Sequence, residues 1–320
     1  MALRLDPAVR VQMDRLTDAL GKTDAAPVGD VETRRINGHR MFDFIGATSA
    51  PIPGVDTDKF SVTTGDGTAL SATWYRRSAG EPPGSAVLYL HGGGMIFSLD
   101  HLGSMYELAA RRYVAESGVP LLLVDYRVAP EHPHPTPVED CYAALEWLAA
   151  NADMLGLDPD RIAVMGDSAG GGLAAGVCLM ARDRNGPAVA QQLLIYPMLD
   201  DRPAASEAAP LRHLTWTYDD NLTGWGALLG EDAGSADVSP YAAPARATDL
   251  TGLPDTYIDV GDLDIFRDED IAYARRLSEA GVPTEFHLHP GCPHAFEALA
   301  DSADVSRRAI NDRIRRLLSL

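Results

Sequence analysis

The sequence IAVMGDSAGGG, residues 162–172, indicates the fold of this chain. Its first residues, Ile162 to Met165, are apolar and predict a short buried strand. We expect a turn through Gly172 and then a helix over Leu173 to Ala181. Within the turn, Gly166-x-Ser168-x-Gly170 is the pattern of a nucleophile elbow, where two small residues let a serine stand on a sharp strand-to-helix turn. A glycine-rich connection whose serine only caps the helix would give the same pattern.

Composition limits the classes of function. The 320 residues are 46% hydrophobic and 23% charged, which is typical of a soluble globular protein. Acidic residues outnumber basic ones by 46 to 27, and the net charge of −19 argues against nucleic acid or an anionic membrane surface as a partner. No apolar run is long enough for a transmembrane helix, and the first 20 residues lack the apolar core of a signal peptide. We therefore expect a cytoplasmic protein.

The three cysteines are too widely spaced to predict a disulfide framework or a zinc site. Cys141 and Cys178 lie in apolar helical contexts and are interpreted as core residues. Cys292 is two residues from His294, so a Cys–His nucleophile is an alternative to the serine. The glycine-rich turn lacks the lysine of a phosphate-binding loop, and no G-x-G-x-x-G follows a strand. We expect no cofactor.

Short apolar strands alternate with helices along most of the chain. A hairpin is predicted within Lys59–Arg76, followed by strands Ala86–Leu90, Leu121–Val124, Ile162–Met165, Leu193–Tyr196, Thr256–Val260 and Thr284–His289. Predicted helices cover Glu139–Ala150, Glu269–Ala280 and Val305–Leu318. This alternation predicts an α/β fold with a mostly parallel, doubly wound sheet.

Two segments interrupt this order. Residues 1–50 form a polar, partly helical lead-in, and residues 201–234 form a long insertion that contains Trp216 and Trp225. Residues 51–200 and 235–320 then make up the catalytic core. Either the two segments cover the carboxyl ends of the strands, where ligands bind in open α/β sheets, or the aromatic residues of the insertion pack among themselves.

A serine nucleophile needs oxyanion donors, a base and an orienting acid. His91-Gly92-Gly93-Gly94 directly follows a predicted strand and has the pattern of the lipase and esterase oxyanion loop, which acts together with the N–H of the residue after the nucleophile, Ala169. Asp262 and Asp264 follow the strand that ends at Val260, and His294 follows the last strand. Asp264 is the preferred acid and Asp262 its rival. The spacing of His287 and His289 on one strand face admits a metal pair, but no third ligand is convincingly spaced, so we expect no metal.

Together these motifs resemble the hormone-sensitive-lipase-like carboxylesterases (bacterial family IV) of the α/β-hydrolase fold. The matching stretches are HGGG at 91–94, VDYRVAPEHP at 124–133, GDSAGG at 166–171, DIFRDE at 264–269 and GCPHAF at 291–296. Two positions depart from the family pattern: Ile265-Phe266 replaces Pro-Leu, and Ala295 replaces Gly.

The resemblance implies an eight-stranded, mostly parallel sheet with a helical cap made of residues 1–50 and 201–234. It also implies a Ser168–Asp264–His294 triad. The implied oxyanion donors are the N–H groups of Gly93, Gly94 and Ala169. Asp167 is expected either to support the site or only to favour the helix dipole. A homodimer through the last strand is also implied, with His287 and His289 at the contact.

We expect hydrolysis of a small acyl or aryl ester. Candidate residues for the substrate pocket are Met95, Ile96, Phe97 and Trp216. The same fold hosts amidases and thioesterases, and a small-molecule receptor that has lost its histidine is a more distant alternative.

Overall fold

The computed structural model describes residues 3–21, 26–80, 84–202 and 215–320. Residues 203–214 of the expected insertion therefore lie outside the described residues. The strands are β1 (Val55–Thr63), β2 (Ala69–Arg77), β3 (Ala86–Leu90), β4 (Leu121–Val124), β5 (Ile162–Asp167), β6 (Gln191–Ile195), β7 (Asp255–Gly261) and β8 (Thr284–His289). They form one eight-stranded sheet in the order β1-β2-β4-β3-β5-β6-β7-β8. β2 runs antiparallel to β1 and β4, and all other pairs are parallel, which confirms the expected sheet.

Helices cover both faces of this sheet. They are α1 (Pro7–Leu20), α2 (Val31–Thr48), α3 (Leu99–Leu102), α4 (Met105–Ser117), α5 (Thr136–Ala150), α6 (Ala152–Leu155), α7 (Ala169–Asp183), α8 (Tyr218–Leu229), α9 (Arg267–Glu279), α10 (Phe296–Leu299) and α11 (Asp304–Leu317). One core cluster lies between the sheet and α5, α7 and α9, and a second lies between the sheet and α4 and α11. Strands β3 to β6 are buried at every position, and in keeping with this β3 and β4 are continuous apolar runs, whereas β5 ends with Gly166-Asp167 and β6 begins with Gln191-Gln192.

The helix after Ser168 begins at Ala169, so the expectation that it begins at Leu173 is wrong. The glycines expected to form a turn are helical, and they are needed for close packing. A Cβ on Gly170 would lie 2.1 Å from the carbonyl oxygen of Leu90, and a Cβ on Gly172 would lie 2.1 Å from that of Met198. Helix α7 therefore packs directly against the backbone of the loops after β3 and β6.

The two interrupting segments supply helices that meet each other. Helix α2 packs on α3, α4 and α8. Arg34 of α2 forms an ion pair with Asp220 of α8 at 2.8 Å, which joins the N-terminal segment to the insertion. Because α3 follows β3 closely in the chain, the contact of α2 with α3 lies near the carboxyl end of β3. In the described part of the chain, no helix has the length and apolar character needed to cross a membrane.

Candidate active site

Ser168 stands at the junction of β5 and α7 in a conformation that L-residues rarely adopt, with φ 56° and ψ −123°. Its N–H donates to the carbonyl oxygen of Ile195 at 2.9 Å. A Cβ on Gly166 would lie 2.1 Å from the carbonyl oxygen of Gly170, so the tight turn requires glycine at this position. Backbone strain of this kind persists when its surroundings enforce it and is common at active sites.

His294 lies between Ser168 and Asp264. Its Nε2 is 2.9 Å from Ser168 Oγ, and its Nδ1 is 2.7 Å from Asp264 Oδ2. The other carboxylate oxygen of Asp264 accepts from the N–H of Phe266 at 3.0 Å, which fixes the carboxylate. A carboxylate only accepts, so Nδ1 carries a proton, and in the neutral ring Nε2 is free to accept the serine proton.

The imidazole of His294 is held by its neighbours as well as by Asp264. The rings of Tyr196 and Phe266 contact it edge-on, with centroids at 4.7 and 5.1 Å. The hydroxyl of Thr215 donates to the carbonyl oxygen of His294 at 2.5 Å. These contacts limit rotation of the ring, so it stays aligned with Ser168.

The peptide unit between Gly93 and Gly94 is oriented by its carbonyl group. The oxygen of Gly93 accepts from the N–H of Ile96 at 3.0 Å and of Phe97 at 3.1 Å. In a planar trans peptide the carbonyl and the N–H point in opposite directions. These two hydrogen bonds therefore point the N–H of Gly94 away from Ile96 and Phe97. No group among the described residues accepts from it.

The preceding peptide unit is oriented in the same way. Nδ1 of His91 donates to the carbonyl oxygen of Gly92 at 2.8 Å, which turns the N–H of Gly93 to the other side. Burial lowers the pKa of His91 to about 4, so the ring is neutral near pH 7 and keeps its proton on Nδ1. The histidine of the HGGG motif thus fixes the direction of the Gly93 N–H.

The third N–H belongs to Ala169 at the start of α7. The carbonyl oxygen of Ser168, in the same peptide unit, accepts from the N–H of Met198 at 2.9 Å and of Gly172 at 3.1 Å. The N–H of Ala169 is one of the first groups of a helix, which have no partner within the helix and favour negative charge. The N–H groups of Gly93, Gly94 and Ala169 are thus each oriented by the carbonyl group of their own peptide unit.

Aromatic side chains flank Gly93 and Gly94 of the HGGG loop. A Cβ on Gly94 would lie 2.1 Å from the ring of Trp216, and a Cβ on Gly93 would lie 2.7 Å from Cβ of Phe97. Of the four residues suggested for the substrate pocket, Trp216 and Phe97 thus contact the oxyanion loop. The structure buries Met95, Ile96 and Phe97 in the core, Met95 on one face of the sheet and Ile96 and Phe97 on the other.

Asp167 is linked to the same loop through a tyrosine. Tyr106 accepts from the N–H of Gly92 at 2.6 Å and donates to Asp167 Oδ2 at 2.5 Å, while Tyr89 donates to Oδ1 at 3.0 Å. Burial raises the pKa of Asp167 to about 6, although the two tyrosine hydrogen bonds oppose this shift. Neither tyrosine belongs to a recognised motif, so the sequence alone does not identify them as part of the site.

The rival candidates occupy other places. Asp262 Oδ1 accepts from the N–H of Gly291 at 2.7 Å, so this carboxylate supports the histidine loop and does not bond to His294. The thiol of Cys292 is buried, its hydrogen bond goes to the carbonyl oxygen of Pro290 at 3.7 Å, and burial raises its pKa. Nε2 of His287 lies 2.6 Å from Oε1 of Glu285, on the strand at the edge of the sheet.

Potential metal ligands of Glu285, His287 and Asp312 do lie within 4.8 Å of one another. However, Arg315 forms ion pairs with both carboxylates of this group, and these ion pairs already balance their charge. This cluster also lies on the last strand and helix, apart from the serine and its histidine.

Comparisons with known proteins agree with this geometry. Residues 87–298 match a family model described as alpha/beta hydrolase fold. Esterase LipI of Mycobacterium tuberculosis is 37% identical over 232 residues, covering 70% of this chain and 69% of that protein. Ethyl acetate hydrolase of Pseudomonas putida is 32% identical over 248 residues, covering 74% of each.

Structural similarity extends over the whole chain. The solved structure of a bacterial heroin esterase is 36% identical, with a TM-score of 0.88, and the match covers 98% of this chain and 97% of that one. These relatives and this structural neighbour are esterases. The chain therefore belongs to the hormone-sensitive-lipase-like family of α/β-hydrolases and is a carboxylic ester hydrolase.

Proposed function

We propose that this enzyme hydrolyses short-chain acyl or aryl esters through an acyl-enzyme intermediate on Ser168. The observation that carries the proposal is the continuous set of hydrogen bonds from Asp264 through His294 to Ser168, with distances of 2.7 and 2.9 Å. A base within hydrogen-bond distance of the nucleophile, itself oriented by a carboxylate, is the arrangement that makes a serine reactive.

In the first step Ser168 Oγ attacks the ester carbonyl carbon while its proton passes to Nε2 of His294. The carbonyl oxygen becomes an oxyanion and accepts from the N–H groups of Gly93, Gly94 and Ala169, while Asp264 stabilises the imidazolium. The C–O bond to the alcohol then breaks, and the alcohol leaves with the proton from His294. In the second step water attacks the acyl carbon while its proton passes to Nε2 of His294. The bond between the acyl carbon and Ser168 Oγ then breaks, His294 returns the proton to Oγ, and the acid is released.

Support for a small substrate comes from the aromatic side chains beside the oxyanion loop. The Trp216 ring lies against Gly94, and Phe97 lies against Gly93, so little space remains beside the reacting carbonyl. One relative, the ethyl acetate hydrolase, is named for a short ester.

We propose further that residues 1–50 and 201–234 form a cap over this site. The ion pair between Arg34 and Asp220 joins the two segments, and Trp216 comes from the second one. The cap would limit substrate length, and the rest of the chain would act as the catalytic core.

The direct test is hydrolysis of p-nitrophenyl acetate, butyrate, octanoate and dodecanoate by the wild type, Ser168→Ala and Trp216→Ala. We expect the wild type to turn over the two shorter esters fastest and Ser168→Ala to be inactive on all of them. Trp216→Ala should shift the preference toward octanoate. Activity that survives in Ser168→Ala would refute the mechanism, and faster turnover of dodecanoate by the wild type would refute the size limit.

We also propose a homodimer through β8. This strand lies at the edge of the sheet, where its outer N–H and C=O groups are available, and Leu288 on it is 44% exposed. Replacing Leu288 with Lys should yield a monomer in analytical ultracentrifugation. A wild type that sediments as a monomer would refute the dimer.

A further inference from the structure

Arg35 of α2 makes four hydrogen bonds to the region around the oxyanion loop. Its Nε donates to the carbonyl oxygen of Ile96 at 2.7 Å, and its Nη2 donates to that of Ala129 at 3.0 Å. Nη1 and Nη2 also bind the two carboxylate oxygens of Glu131, each at 2.7 Å. Glu131 belongs to the VDYRVAPEHP stretch, whose role the catalytic mechanism leaves unexplained.

Both carbonyl groups that accept from Arg35 belong to residues that shape the oxyanion loop. The N–H of Ile96 is one of the two donors that orient the carbonyl oxygen of Gly93 and hence the N–H of Gly94. The N–H of Ala129 donates to the carbonyl oxygen of Met95 at 2.9 Å. Arg35 thus holds the turn after Gly94 at Ile96 directly and at Met95 through Ala129.

We expect the ion pair between Arg35 and Glu131 to contribute little to folding stability. Glu131 is 54% exposed, and ion pairs with an exposed partner contribute about 1 kcal/mol or less to folding. Catalysis is far more sensitive, because a displacement of about 1 Å in an active site can cost up to a hundredfold in rate. A rigid guanidinium that binds two backbone carbonyls and one carboxylate is well suited to prevent such a displacement.

We propose that Arg35 is a positioning residue for the oxyanion hole and that Glu131 holds it in place. This inference rests on the proposed function, in which the N–H groups of Gly93 and Gly94 stabilise the oxyanion. It gives the N-terminal segment a role in catalysis: docking of α2 sets the direction of the Gly94 N–H. An enzyme with α2 displaced would still bind the ester but would stabilise the transition state poorly.

The neighbouring Arg34 provides a matched control. It lies on the same helix, is 5% exposed where Arg35 is 17% exposed, and donates to Asp220, Pro27, Asp30 and Ala26. None of these groups belongs to the oxyanion loop. Removing Arg34 therefore weakens the attachment of α2 to α8 and to residues 26–30 but leaves the bonds to Ile96 and Ala129 in place.

The experiment compares Arg35→Ala and Arg34→Ala on p-nitrophenyl butyrate, with rates expressed per functional site from burst titration. For Arg35→Ala we expect kcat to fall about tenfold to a hundredfold with KM little changed, because only transition-state binding is lost. The affinity for a trifluoromethyl ketone, which forms a tetrahedral oxyanion adduct, should fall by the same factor. Millimolar guanidinium should restore much of the rate in Arg35→Ala and none in Arg34→Ala.

A milder variant keeps the test decisive if Arg35→Ala folds poorly. Glu131→Gln leaves the bonds from Arg35 to Ile96 and Ala129 possible, so we expect a smaller loss of kcat in the same direction. Equal effects in the Arg35 and Arg34 variants, a change in KM alone or an unchanged kcat would overturn the proposal. Activity retained by Ser168→Ala would instead refute the proposed function itself, so the two failures are distinguishable.

Discussion

The hydroxyl of Tyr106 connects the carboxylate of Asp167 to the backbone of Gly92. It donates to Oδ2 of Asp167 at 2.5 Å and accepts from the N–H of Gly92 at 2.6 Å. Tyr89 donates to the same carboxylate at 3.0 Å but does not reach Gly92. The two tyrosines therefore share a partner, and only one of them holds the start of the oxyanion loop. This difference gives a controlled experiment.

Replacing Tyr106 with Phe should lower kcat about tenfold, because the N–H of Gly92 loses its acceptor and the start of the HGGG loop is then held only through the bond from His91 to the carbonyl oxygen of Gly92. Tyr89→Phe should leave kcat nearly unchanged. Tyr89→Phe loses one buried hydrogen bond to a carboxylate and should lose about 2 kcal/mol in the free energy of unfolding, whereas Tyr106→Phe also leaves the buried N–H of Gly92 without its acceptor and should lose more, about 3 kcal/mol. Steady-state kinetics and urea unfolding of the pair test this, and equal kcat values would show that the Gly92 contact is not needed.

Replacing Asp167 with Asn should change how stability depends on pH. Burial raises the pKa of Asp167 to about 6 from 3.8, so between these values the folded chain keeps a proton that the unfolded chain has lost. The contribution of Asp167 to the free energy of unfolding is complete below pH about 4 and is lost as pH rises through about 6. The loss amounts to about 3 kcal/mol. The free energy of unfolding of Asp167→Asn minus that of the wild type should therefore be larger at neutral pH than at pH about 4.

Urea unfolding of both proteins across this interval measures the difference between their free energies of unfolding. The difference removes the contribution of all other titrating groups. A constant difference from pH about 4 to about 7 would mean that Asp167 titrates as an ordinary exposed carboxylate.

Replacing Asp264 or Asp262 with Asn distinguishes the two candidates for the acid that orients His294. Asp264→Asn should lower kcat by roughly ten-thousandfold, because an amide facing His294 favours the wrong tautomer of the ring. Asp262→Asn retains an oxygen that accepts from the N–H of Gly291, so kcat should change less than about threefold. If instead Asp262→Asn were the inactive variant, the assignment of the acid would have to be exchanged.

The part of this site that can be predicted from the sequence is the part that lies in local motifs. Ser168, His294 and the HGGG loop occur in short patterns whose spacing is imposed by sharp turns, so each is recognisable without tertiary information. The parallel sheet is equally predictable, because its strands are short apolar runs separated by helices.

The supporting residues lack such patterns. Arg35 lies 61 residues from Ile96, and Tyr106 lies 14 residues from Gly92, so these contacts depend on how helices pack rather than on local sequence. The expected start of α7 is wrong for a related reason. Three consecutive glycines favour a turn locally, but the fold uses their missing side chains to bring a helix against two loops.

This role of the glycines leads to a final contrast between two Gly→Ala substitutions. A Cβ on Gly170 would lie 2.1 Å from a backbone oxygen, which cannot move without disturbing the loop after β3. Gly226 is an exposed position inside α8, and a Cβ added there would have no neighbouring atom within 4 Å. Gly170→Ala should therefore lower the free energy of unfolding by about 2 kcal/mol or more, whereas Gly226→Ala should raise it by about 1 kcal/mol because alanine favours helix.

Thermal and urea unfolding of the two variants measure both effects. Because Gly170 lies beside the elbow, its variant should also lose esterase activity, and Gly226→Ala should retain it. A stable and active Gly170→Ala enzyme would show that α7 can shift away from the loop after β3. The strained conformation of Ser168, with φ 56°, would then be set by β5 and the hydrogen bond from its N–H to the carbonyl oxygen of Ile195 rather than by close packing of the helix.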